Sequence, residues 1–413
     1  LTMSQERKPK VLISAYACEP DKGSEQGVGW NWSKQIAKFA ETWVITRANN
    51  REVIGKELRN NPDPNLHFIY YDVPRWLSFW KKRTRGLYLY YLLWQIGAYR
   101  IAIKLNKQQK FDIVHHLTFG NLWLPTFMSF LPVPFIWGPI GGGEQVPKVF
   151  RQDYDIKARL KEIMRDVIVS SLKFNLLFLY TSRKARLIIA KTSDTAKRIP
   201  DQSQNKVIVT TDVAIDPKVF KKKDNNNSEL KIIAVGRLDP WRGFDLLIRA
   251  LSSIAKANNK FKLFILGEGS DRKRLQLICK NEHLKNRVVF TGQVDREQYL
   301  EYMARSSIFV NPCLKEGGVT VLFDALTFGL PVICMDVAGA SEIIDETCGI
   351  KIQPISPEQT VRDLAESLLT LVRNPELREK MGERGKERVK ELFIWDKKGE
   401  MIKEYYAEII SNF

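Results

Sequence analysis

Two arginines and two acidic residues have the type and spacing needed to bind a phosphorylated sugar. Arg237 and Arg242 follow an apolar run in the string VGRLDPWRGFDLLIRA, where guanidinium groups could bind the oxygens of a diphosphate. Asp324 lies eight residues after Glu316, about two turns along an apolar helix, where its carboxylate could accept hydrogen bonds from two sugar hydroxyls. For the two arginines taken alone, a solvated loop is the alternative interpretation.

Glycines beside these residues favour close approach of the backbone to an anion. Gly317 and Gly318 precede an apolar helix that we expect to begin near Val319, and free N–H groups at a helix start bind anions. Gly267 ends another apolar run, FKLFILG, and Gly269 follows it, but any tight turn between a strand and a helix prefers glycine. The first glycine pair therefore carries more information than the second.

The elements that must position these residues alternate between strand and helix. The chain opens with the strand KVLISAYA, a glycine-bearing turn and a helical segment, and the same order begins again near residue 230. The polar segment KKKDNNNSE, residues 221–229, indicates a linker. We therefore predict an α/β protein with two doubly wound Rossmann-like domains, residues 1–215 and 230–395. Ligands of such sheets bind at the carboxyl ends of the strands, so we expect the substrate in a cleft between the domains.

The composition is that of an ordinary globular protein. Of the 413 residues, 44% are hydrophobic and 27% are charged, which excludes a disordered, collagen-like or disulfide-stapled chain. The five cysteines include no C-x-x-C pair, so neither a zinc site nor a redox motif is indicated, and we expect buried thiols in a reducing compartment. No run of about 18 apolar residues and no signal-peptide pattern occurs, and we expect a cytoplasmic protein.

The basic charge of the chain is uneven. The net charge is +18, and residues 73–111 carry nine Lys or Arg, no acid and many aromatics. This pattern favours an anionic membrane surface, because basic residues gain about 1 kcal/mol each near anionic lipid and aromatics insert among headgroups. The alternatives are a buried amphipathic helix beside a solvated basic turn, and a surface for single-stranded nucleic acid. Since zinc-finger and RNP-like strings are absent, we expect no nucleic-acid partner. The residues expected to contact the membrane are Trp76, Trp80, Lys81, Lys82, Arg83 and Arg85.

The second half also carries a series of motifs in a recognisable order. They are Gly236-Arg237-Leu238, Arg242-Gly243, Gly267-Glu268-Gly269, Glu316 through Asp324, Gly329-Leu330-Pro331-Val332 and Gly339-Ala340-Ser341-Glu342. By these motifs the chain resembles the retaining glycosyltransferases of family 4, which have the GT-B architecture. The strings GSEQGVGW, HHLT and WGPIGGG in the first half look like those of a bacterial subgroup that builds surface polysaccharides. The resemblance implies two doubly wound Rossmann-like domains facing a central cleft, with a C-terminal helix, residues 396–413, returning to the first domain.

The resemblance also implies roles for individual residues at a donor site. Arg237 and Arg242 would bind the donor diphosphate, Glu316 would orient the hydroxyls of the donor sugar, and Asp324 would hold the ribose. The residues implied to contact the donor are Gly27, Arg237, Arg242, Gly267, Val294, Glu316, Gly317, Gly318, Val319, Thr320 and Asp324. The family more often has Lys in place of Arg242 and Glu in place of Asp324, and the latter difference shortens the reach toward the ribose by one methylene.

Catalysis and acceptor binding are implied to involve both halves. The catalytic residues implied are Glu316, His116, Arg237 and Arg242, and the acceptor would contact His115, His116 and Glu144. Adjacent strand residues point to opposite faces, so the sequence leaves open which histidine faces the cleft, and a structural histidine under a loop is the alternative for each. For a double displacement, Glu144 and Glu25 are the nearby carboxylates. The resemblance instead implies front-face transfer, in which the departing phosphate oxygen acts as the base.

The resemblance finally implies a glycosyltransferase that retains the anomeric configuration and needs no metal or other cofactor. The donor would be a nucleoside-diphosphate sugar, with UDP as its nucleotide. From the charge pattern we expect the acceptor to be a membrane glycolipid or a polyprenyl-diphosphate-linked saccharide in polysaccharide biosynthesis, and the protein to lie on the inner face of the cell membrane. The alternatives are a nucleotide-sugar epimerase of the same architecture and a membrane adaptor without catalysis.

Overall fold

Parallel strands alternate with helices along the chain. The computed structural model describes residues 7–81, 85–124, 126–216, 230–256, 261–315 and 320–412. By its contacts the chain divides into two compact units, which we call unit 1 and unit 2. Unit 1 contains Leu1–Gly143, Ile168–Val213 and Trp395–Phe413, and unit 2 contains Glu144–Val167 and Ala214–Ile394.

Unit 1 is built on a parallel sheet. Its strands are β1 (Lys10–Ser14), β2 (Glu41–Thr46), β3 (Leu66–Tyr70), β4 (Ile113–His116), β5 (Phe135–Ile140), β6 (Ala185–Ala190) and β7 (Val207–Val209), in the order β3-β2-β1-β4-β5-β6-β7. The α-helices between residues 24 and 196 are α1 (Ser24–Ala37), α2 (Arg51–Asn60), α3 (Arg75–Ser78), α4 (Leu87–Gln109), α5 (Ile156–Ser171), α6 (Leu176–Lys184) and α7 (Ser193–Ala196). Residues 156–167 of α5 belong to unit 2 by their contacts. Val11, Leu12 and Ile13 of β1 are fully buried, as expected when both faces of a strand are covered.

Unit 2 has a second parallel sheet of the same kind. Its strands are β8 (Leu230–Val235), β9 (Phe261–Leu266), β10 (Val288–Gly292), β11 (Ile308–Asn311), β12 (Val332–Met335) and β13 (Gly349–Ile352), in the order β10-β9-β8-β11-β12-β13. Its helices are α8 (Phe244–Lys256), α9 (Arg272–Asn281), α10 (Arg296–Ala304), α11 (Thr320–Thr327), α12 (Ala338–Ile343), α13 (Pro357–Arg373) and α14 (Pro375–Leu392). Ile232, Ile233 and Phe309 are fully buried in the sheet.

The strand order reverses beside the first strand of each sheet. In unit 1, β1 lies between β2 and β4, and in unit 2, β8 lies between β9 and β11. Ligands of doubly wound sheets bind outside the carboxyl ends of the strands at this reversal. Gly236 and Arg237 directly follow β8, and His116 ends β4, so these residues lie at the reversal points.

The predicted α/β architecture with two doubly wound sheets is confirmed. Some strands are shorter than expected: the predicted strand KVLISAYA, residues 10–17, ends at Ser14. The linker, residues 221–229, lies outside the described residues. We expected residues 1–215 to form one domain, whereas the contacts assign Glu144–Val167 to unit 2. All five cysteines are free and buried, as expected.

The C-terminal helix, α15 (Trp395–Ser411), belongs to unit 1. Asp396 accepts hydrogen bonds from Gln35 at 3.4 Å and from Lys38 at 2.6 Å, both on α1 or at its end. Ile402 and Tyr406 join the hydrophobic core of the same unit. The predicted return of this helix to the first domain is therefore confirmed.

Lys398 of α15 is a buried amine in unit 1. Its Nζ donates hydrogen bonds to the Thr210 hydroxyl at 2.9 Å and to the Thr211 carbonyl. Burial lowers the pKa of Lys398 to about 7, and the charge of Asp212 opposes this shift. Asp212 is itself paired with Lys191, 2.7 Å away, so it balances the positive charge of Lys398 only in part.

We expect this amine to make stability depend on pH. The unfolded chain keeps the lysine protonated up to a pKa of about 10.4, so above pH 7 it binds more protons than the folded state and stability rises with pH. From pH 7.5 to 9.5 the free energy of unfolding of the wild type should rise by about 2–3 kcal/mol relative to that of Lys398→Met, measured by urea unfolding. The exposed neighbour variant Lys397→Met should keep the wild-type slope, and an unchanged slope in Lys398→Met would contradict the prediction.

Candidate functional site

A cavity of about 660 Å³ lies in unit 2 at the carboxyl ends of β8, β9 and β10. It is lined by Val235, Gly236, Arg237, Leu266, Gly267, Glu268, Gln293, Val294, Asp295, Arg296, Tyr299, Thr320, Val321 and Asp324. The structure thus brings together five of the predicted donor-binding residues, which are Arg237, Gly267, Val294, Thr320 and Asp324.

The turns after β8 and β9 approach each other too closely for a side chain to lie between them. Gly267 has a φ of +140°, and a Cβ atom added there would lie 2.0 Å from the carbonyl oxygen of Gly236. Glycine alone adopts this conformation without strain and leaves room for the neighbouring backbone. Gly267 is therefore required for the shape of this wall of the cavity.

The two predicted diphosphate-binding arginines have different surroundings. The side chain of Arg237 is 74% exposed, and its guanidinium lies 3.1 Å from the carboxylate of Asp239. The guanidinium of Arg242 lies 4.4 Å from the ring centre of Trp241 and close to Gly236, where an added Cβ would be 3.3 Å from Nη1. One cation is thus available at the cavity wall, and the other is held beside it against an aromatic ring.

Asp324 is buried on the second turn of α11, and its carboxylate has two partners on α10. The Tyr299 hydroxyl donates to Oδ2 at 2.7 Å, and Arg296 Nη1 donates to the same oxygen at 3.2 Å. Burial and the charge of Asp324 raise the pKa of Tyr299, so the phenol stays protonated and continues to donate. These contacts fix the direction of the carboxylate at the cavity, as recognition of a pair of hydroxyls requires.

The loop before α11 is described only at its ends. The predicted site residues Glu316, Gly317, Gly318 and Val319 lie outside the described residues. Thr320, which follows them, begins α11 and lines the cavity. Lys315, which precedes them, is buried, forms an ion pair with Glu162 of α5 and lies 5.3 Å from the ring centre of Trp241. The chain therefore enters this loop beside the ring that holds Arg242.

In unit 1 the first turn of α1 contains Gly27 and Glu25. Gly27 is buried, and an added Cβ would lie 2.0 Å from the carbonyl oxygen of Lys22. Glu25 accepts hydrogen bonds from the Phe119 backbone N–H at 2.8 Å and from Lys191 at 3.3 Å. Partners within the fold thus hold the carboxylate of Glu25, and the contact of Gly27 with donor phosphates stays a prediction.

His115 and His116 of β4 are both buried and have partners on different helices. His115 Nε2 donates to the Gly138 carbonyl at 2.6 Å, and its Nδ1 accepts from the Tyr406 hydroxyl of α15 at 2.7 Å. His116 Nε2 lies 3.3 Å from the Tyr91 hydroxyl of α4. Burial lowers the pKa of His115 to about 4 and that of His116 to about 3, so both rings are neutral at pH 7.

The two histidines differ in their remaining capacity for hydrogen bonds. Both nitrogens of His115 have partners, so a contact with an acceptor would require the loss of one of them. His116 Nδ1 is buried and has no hydrogen-bond partner among the described residues. His116 is therefore the better candidate of the two, and the roles assigned to both stay predictions.

Glu144, the third predicted acceptor residue, belongs to unit 2 by its contacts. It is buried, and its carboxylate lies 3.6 Å from Arg165 of α5. Arg165 Nε also donates to the Glu144 carbonyl at 2.7 Å. These contacts hold Glu144 against α5, and its contact with an acceptor stays a prediction.

The predicted membrane-contact residues include exposed and partly buried side chains. Trp76 is 73% exposed, and Arg85 is exposed as well. Trp80 is half-buried, and its Nε1 donates to the Leu77 carbonyl at 2.9 Å. Lys82 and Arg83 lie outside the described residues. Within the described ranges no helix is both long enough and apolar enough to span a membrane.

The aromatic residues of α4 belong mainly to the core of unit 1. Tyr90, Tyr91 and Trp94 are buried, and Trp94 Nε1 donates to the Tyr71 carbonyl at 2.9 Å. Lys81 lies 4.4 Å from the ring centre of Tyr90, and burial lowers its pKa. For α4 the structure thus agrees with the alternative interpretation, an amphipathic helix with one buried face, and Tyr88 and Leu89 in its first turn are each 54% exposed.

The region around the cavity matches a known family. Residues 216–388 match the family model described as Glycosyl transferases group 1. An uncharacterized glycosyltransferase of Methanocaldococcus jannaschii is 31% identical over 194 residues, which are 46% of this chain and 48% of that protein. The gpi3 subunit of phosphatidylinositol N-acetylglucosaminyltransferase of Schizosaccharomyces pombe is 29% identical over 183 residues, which are 44% of this chain and 39% of that protein. The match therefore spans less than half the length of these two curated relatives.

A solved structure extends the likeness to nearly the whole chain. Anabaena Alr3699/HepE in complex with UDP and glucose aligns with 97% of this chain and 99% of its own, at a TM-score of 0.58 and 14% identity. At this identity the likeness shows the fold alone, and it confirms the predicted GT-B architecture. The comparisons thus show a likeness to glycosyltransferases over residues 216–388 and a likeness in fold over nearly the whole chain, while membership of family 4 and of the surface-polysaccharide subgroup stays a prediction.

Sequence reasoning missed the two residues that hold Asp324. Arg296 and Tyr299 lie on the first turn of α10, whose start is marked by a capping box of Asp295 and Gln298. The string D-x-x-Q predicts such a helix start. This string in the sequence could therefore have predicted that both side chains lie at the carboxyl end of β10.

The described residues include no group of three or more His, Cys, Asp or Glu side chains arranged to hold a metal ion. Glu268, at the cavity wall, is paired with Arg272. The predicted independence from metals and cofactors stays a prediction and is tested below.

Proposed function

We propose that this protein is a retaining, metal-independent glycosyltransferase that binds a nucleoside-diphosphate sugar in the cavity of unit 2. The observation that carries the proposal is the gathering of Arg237, Gly267 and Asp324 around one cavity at the carboxyl ends of the strands. The family match over residues 216–388 includes every residue that lines it. The cation and the glycine turn suit the binding of a diphosphate. The oriented carboxylate suits the binding of a ribose.

The chemistry of the site follows from where charge develops. Transfer breaks the bond between the anomeric carbon and the β-phosphate oxygen, so negative charge accumulates on the departing diphosphate. Arg237 and Arg242 would stabilise that charge, and Asp324 would hold the ribose. In front-face transfer the acceptor hydroxyl attacks from the side on which the diphosphate leaves, and a departing phosphate oxygen takes the proton. The anomeric configuration is then retained.

The donor and acceptor are proposed from two of the similar proteins. The HepE structure is a complex with UDP and glucose, and the gpi3 relative is named for a lipid, phosphatidylinositol. We propose UDP as the donor nucleotide, and a membrane glycolipid or polyprenyl-diphosphate-linked saccharide in polysaccharide biosynthesis as the acceptor. The enzyme would act as a peripheral protein on the inner face of the cell membrane.

Donor turnover tests the function. The protein is incubated with UDP-, GDP-, ADP- and TDP-sugars, with and without a membrane-lipid extract, and release of the nucleoside diphosphate is measured. We expect release with a single nucleotide that depends on the extract, and a product whose anomeric configuration, determined by NMR, matches that of the donor. Inversion would contradict the mechanism, an epimerised donor formed without acceptor would indicate the epimerase, and binding without consumption would indicate the adaptor.

Removal of divalent cations is expected to leave turnover unchanged. Arg237 and Arg242 supply the positive charge that a metal would otherwise place on the diphosphate. Initial rates are measured with EDTA in excess over any divalent cation in the assay and compared with those of untreated protein. Loss of activity with EDTA that Mg²⁺ or Mn²⁺ restores would overturn this prediction.

A further inference from the structure

Helix α5 exposes a continuous apolar stripe. Ile156, Leu160, Ile163, Met164 and Val167 are each between 46% and 78% exposed. Their spacing of three and four residues places them on one face of the helix. Over about 11 residues at about 1.5 Å each, the stripe is about 16 Å long. An exposed apolar stripe of this length indicates a contact surface rather than scattered surface residues.

The acidic side chains of α5 are paired within the protein, and its exposed charged side chains are basic. Its acids face protein: Glu162 pairs with Lys315, and Asp166 pairs with Arg151. Its exposed charges are all basic, namely Lys157, Arg159 and Lys161. On a helical projection at about 100° per residue, Lys157 and Arg159 border the apolar stripe on either side.

We propose that α5 is a membrane-docking helix that inserts its apolar stripe among the headgroups of anionic lipid. An amphipathic helix with cations flanking an apolar face lies in the plane of such an interface. The exposed face of α5 has basic borders, and this charge favours anionic lipid over an uncharged partner. The proposal depends on the proposed function in one respect: docking would give the enzyme access to a lipid-linked acceptor.

The inner face of α5 connects this surface with the candidate site. Glu162 pairs with Lys315, and Lys315 lies beside the ring of Trp241 on which Arg242 stacks. Docking through α5 would thus fix unit 2, which contains the cavity, at the lipid surface. This location differs from the segment around Trp76, which the charge pattern of the sequence favoured.

Flotation with lipid vesicles tests the apolar stripe. The full chain is mixed with vesicles of phosphatidylcholine and phosphatidylglycerol or of phosphatidylcholine alone, and the floating fraction is measured. We expect binding to the anionic vesicles and at least 100-fold weaker partitioning in Leu160→Glu/Met164→Glu, because two apolar side chains that would insert among the headgroups are lost. The matched control Leu277→Glu/Leu392→Glu, at residues 56% and 51% exposed, should float like the wild type.

A second pair of variants tests the basic borders. Lys157→Gln/Lys161→Gln should partition about 30-fold more weakly, since each lysine near an anionic surface contributes about fivefold. Lys273→Gln/Lys280→Gln, which changes two exposed lysines of α9, should not differ from the wild type. Equal loss in both variants would show that net charge alone is responsible and would overturn the assignment to α5.

Other outcomes also decide the proposal. It is overturned if the wild type does not float, if Leu160→Glu/Met164→Glu floats normally, or if only Trp76→Glu/Phe79→Glu loses binding. Self-association without flotation, abolished by Leu160→Glu/Met164→Glu, would instead assign the stripe to a second copy of this chain.

Thermal stabilisation by a nucleoside diphosphate is measured in the same variants. Stabilisation by the nucleotide shows that a variant is folded. A wild type that floats but is not stabilised by any nucleotide contradicts the proposed function and leaves the docking proposal standing. Ile156→Glu, at the first residue of the helix, replaces the double variant should that variant unfold.

Discussion

Replacing Arg237 with alanine is expected to remove at least half of the stabilisation that a nucleoside diphosphate gives the wild-type protein. The side chain is 74% exposed at the cavity wall, so its loss should affect the ligand far more than the fold. Charge-assisted hydrogen bonds of this kind contribute about 1.5–3 kcal/mol. A ligand at 100 times its Kd stabilises by about 2.7 kcal/mol, which corresponds to a Tm shift of roughly 5–10 °C for a unit of about 200 residues. Thermal unfolding with UDP, GDP, ADP and TDP measures the loss.

Two further variants separate this site from a general effect of charge. Arg384→Ala removes another exposed arginine of unit 2 that has an acidic partner, Glu387, and does not line the cavity. It should keep the full shift, whereas Arg237→Lys should be intermediate because the charge remains and the bidentate geometry is lost. A full shift in Arg237→Ala would place the diphosphate elsewhere. No shift with any nucleotide in the wild type would favour the membrane adaptor.

The cavity was predictable because its residues follow strand ends. Arg237 and Gly267 come directly after apolar strands, and in a parallel sheet such residues meet at one edge whatever the details of packing. The hydrogen bonds that orient the Asp324 carboxylate were not predictable in the same way. They depend on the rotation of α10, which sets Arg296 and Tyr299 toward α11 and is a property of packing rather than of spacing.

The histidines show a second limit of sequence reasoning. Alternation along β4 predicts that His115 and His116 point to opposite faces, but it does not say what covers each face. The helix directly before β4, α4, provides Tyr91, and the C-terminal helix α15 provides Tyr406, which is 291 residues from His115. These partners bury both rings. A histidine that looks accessible at a strand end is therefore buried in this fold.

Charge and aromatic content did not indicate the apolar stripe of α5. The segment richest in aromatics includes α4, where Trp94 is fully buried, whereas α5 carries two acids and no aromatics. In the structure the acids Glu162 and Asp166 face inward to basic partners, which leaves the apolar stripe and its basic borders exposed. Composition counts charges but cannot show which of them are neutralised within the fold.

Replacing Glu162 with glutamine is expected to lower the free energy of unfolding by about 3–5 kcal/mol. Both side chains of the pair with Lys315 are buried, and the change leaves the ammonium without its carboxylate. Burial lowers the pKa of Lys315 although Glu162 opposes this shift, so the ammonium depends on its partner. Urea and thermal unfolding measure the loss, which corresponds to roughly 6–20 °C in Tm for a unit of about 200 residues.

The comparison with an exposed pair and with a double replacement separates the buried charge from other effects. Glu301→Gln breaks the exposed pair with Arg305 in the same unit and should cost less than about 1 kcal/mol. Glu162→Leu combined with Lys315→Met removes both charges and should recover most of the stability, because apolar side chains of similar volume carry no desolvation cost. A loss in Glu162→Gln no larger than that in Glu301→Gln would show that the pair is effectively solvated. The fold would then not hold Lys315 beside Trp241 through this ion pair, and the connection between α5 and the candidate site would lose its physical basis.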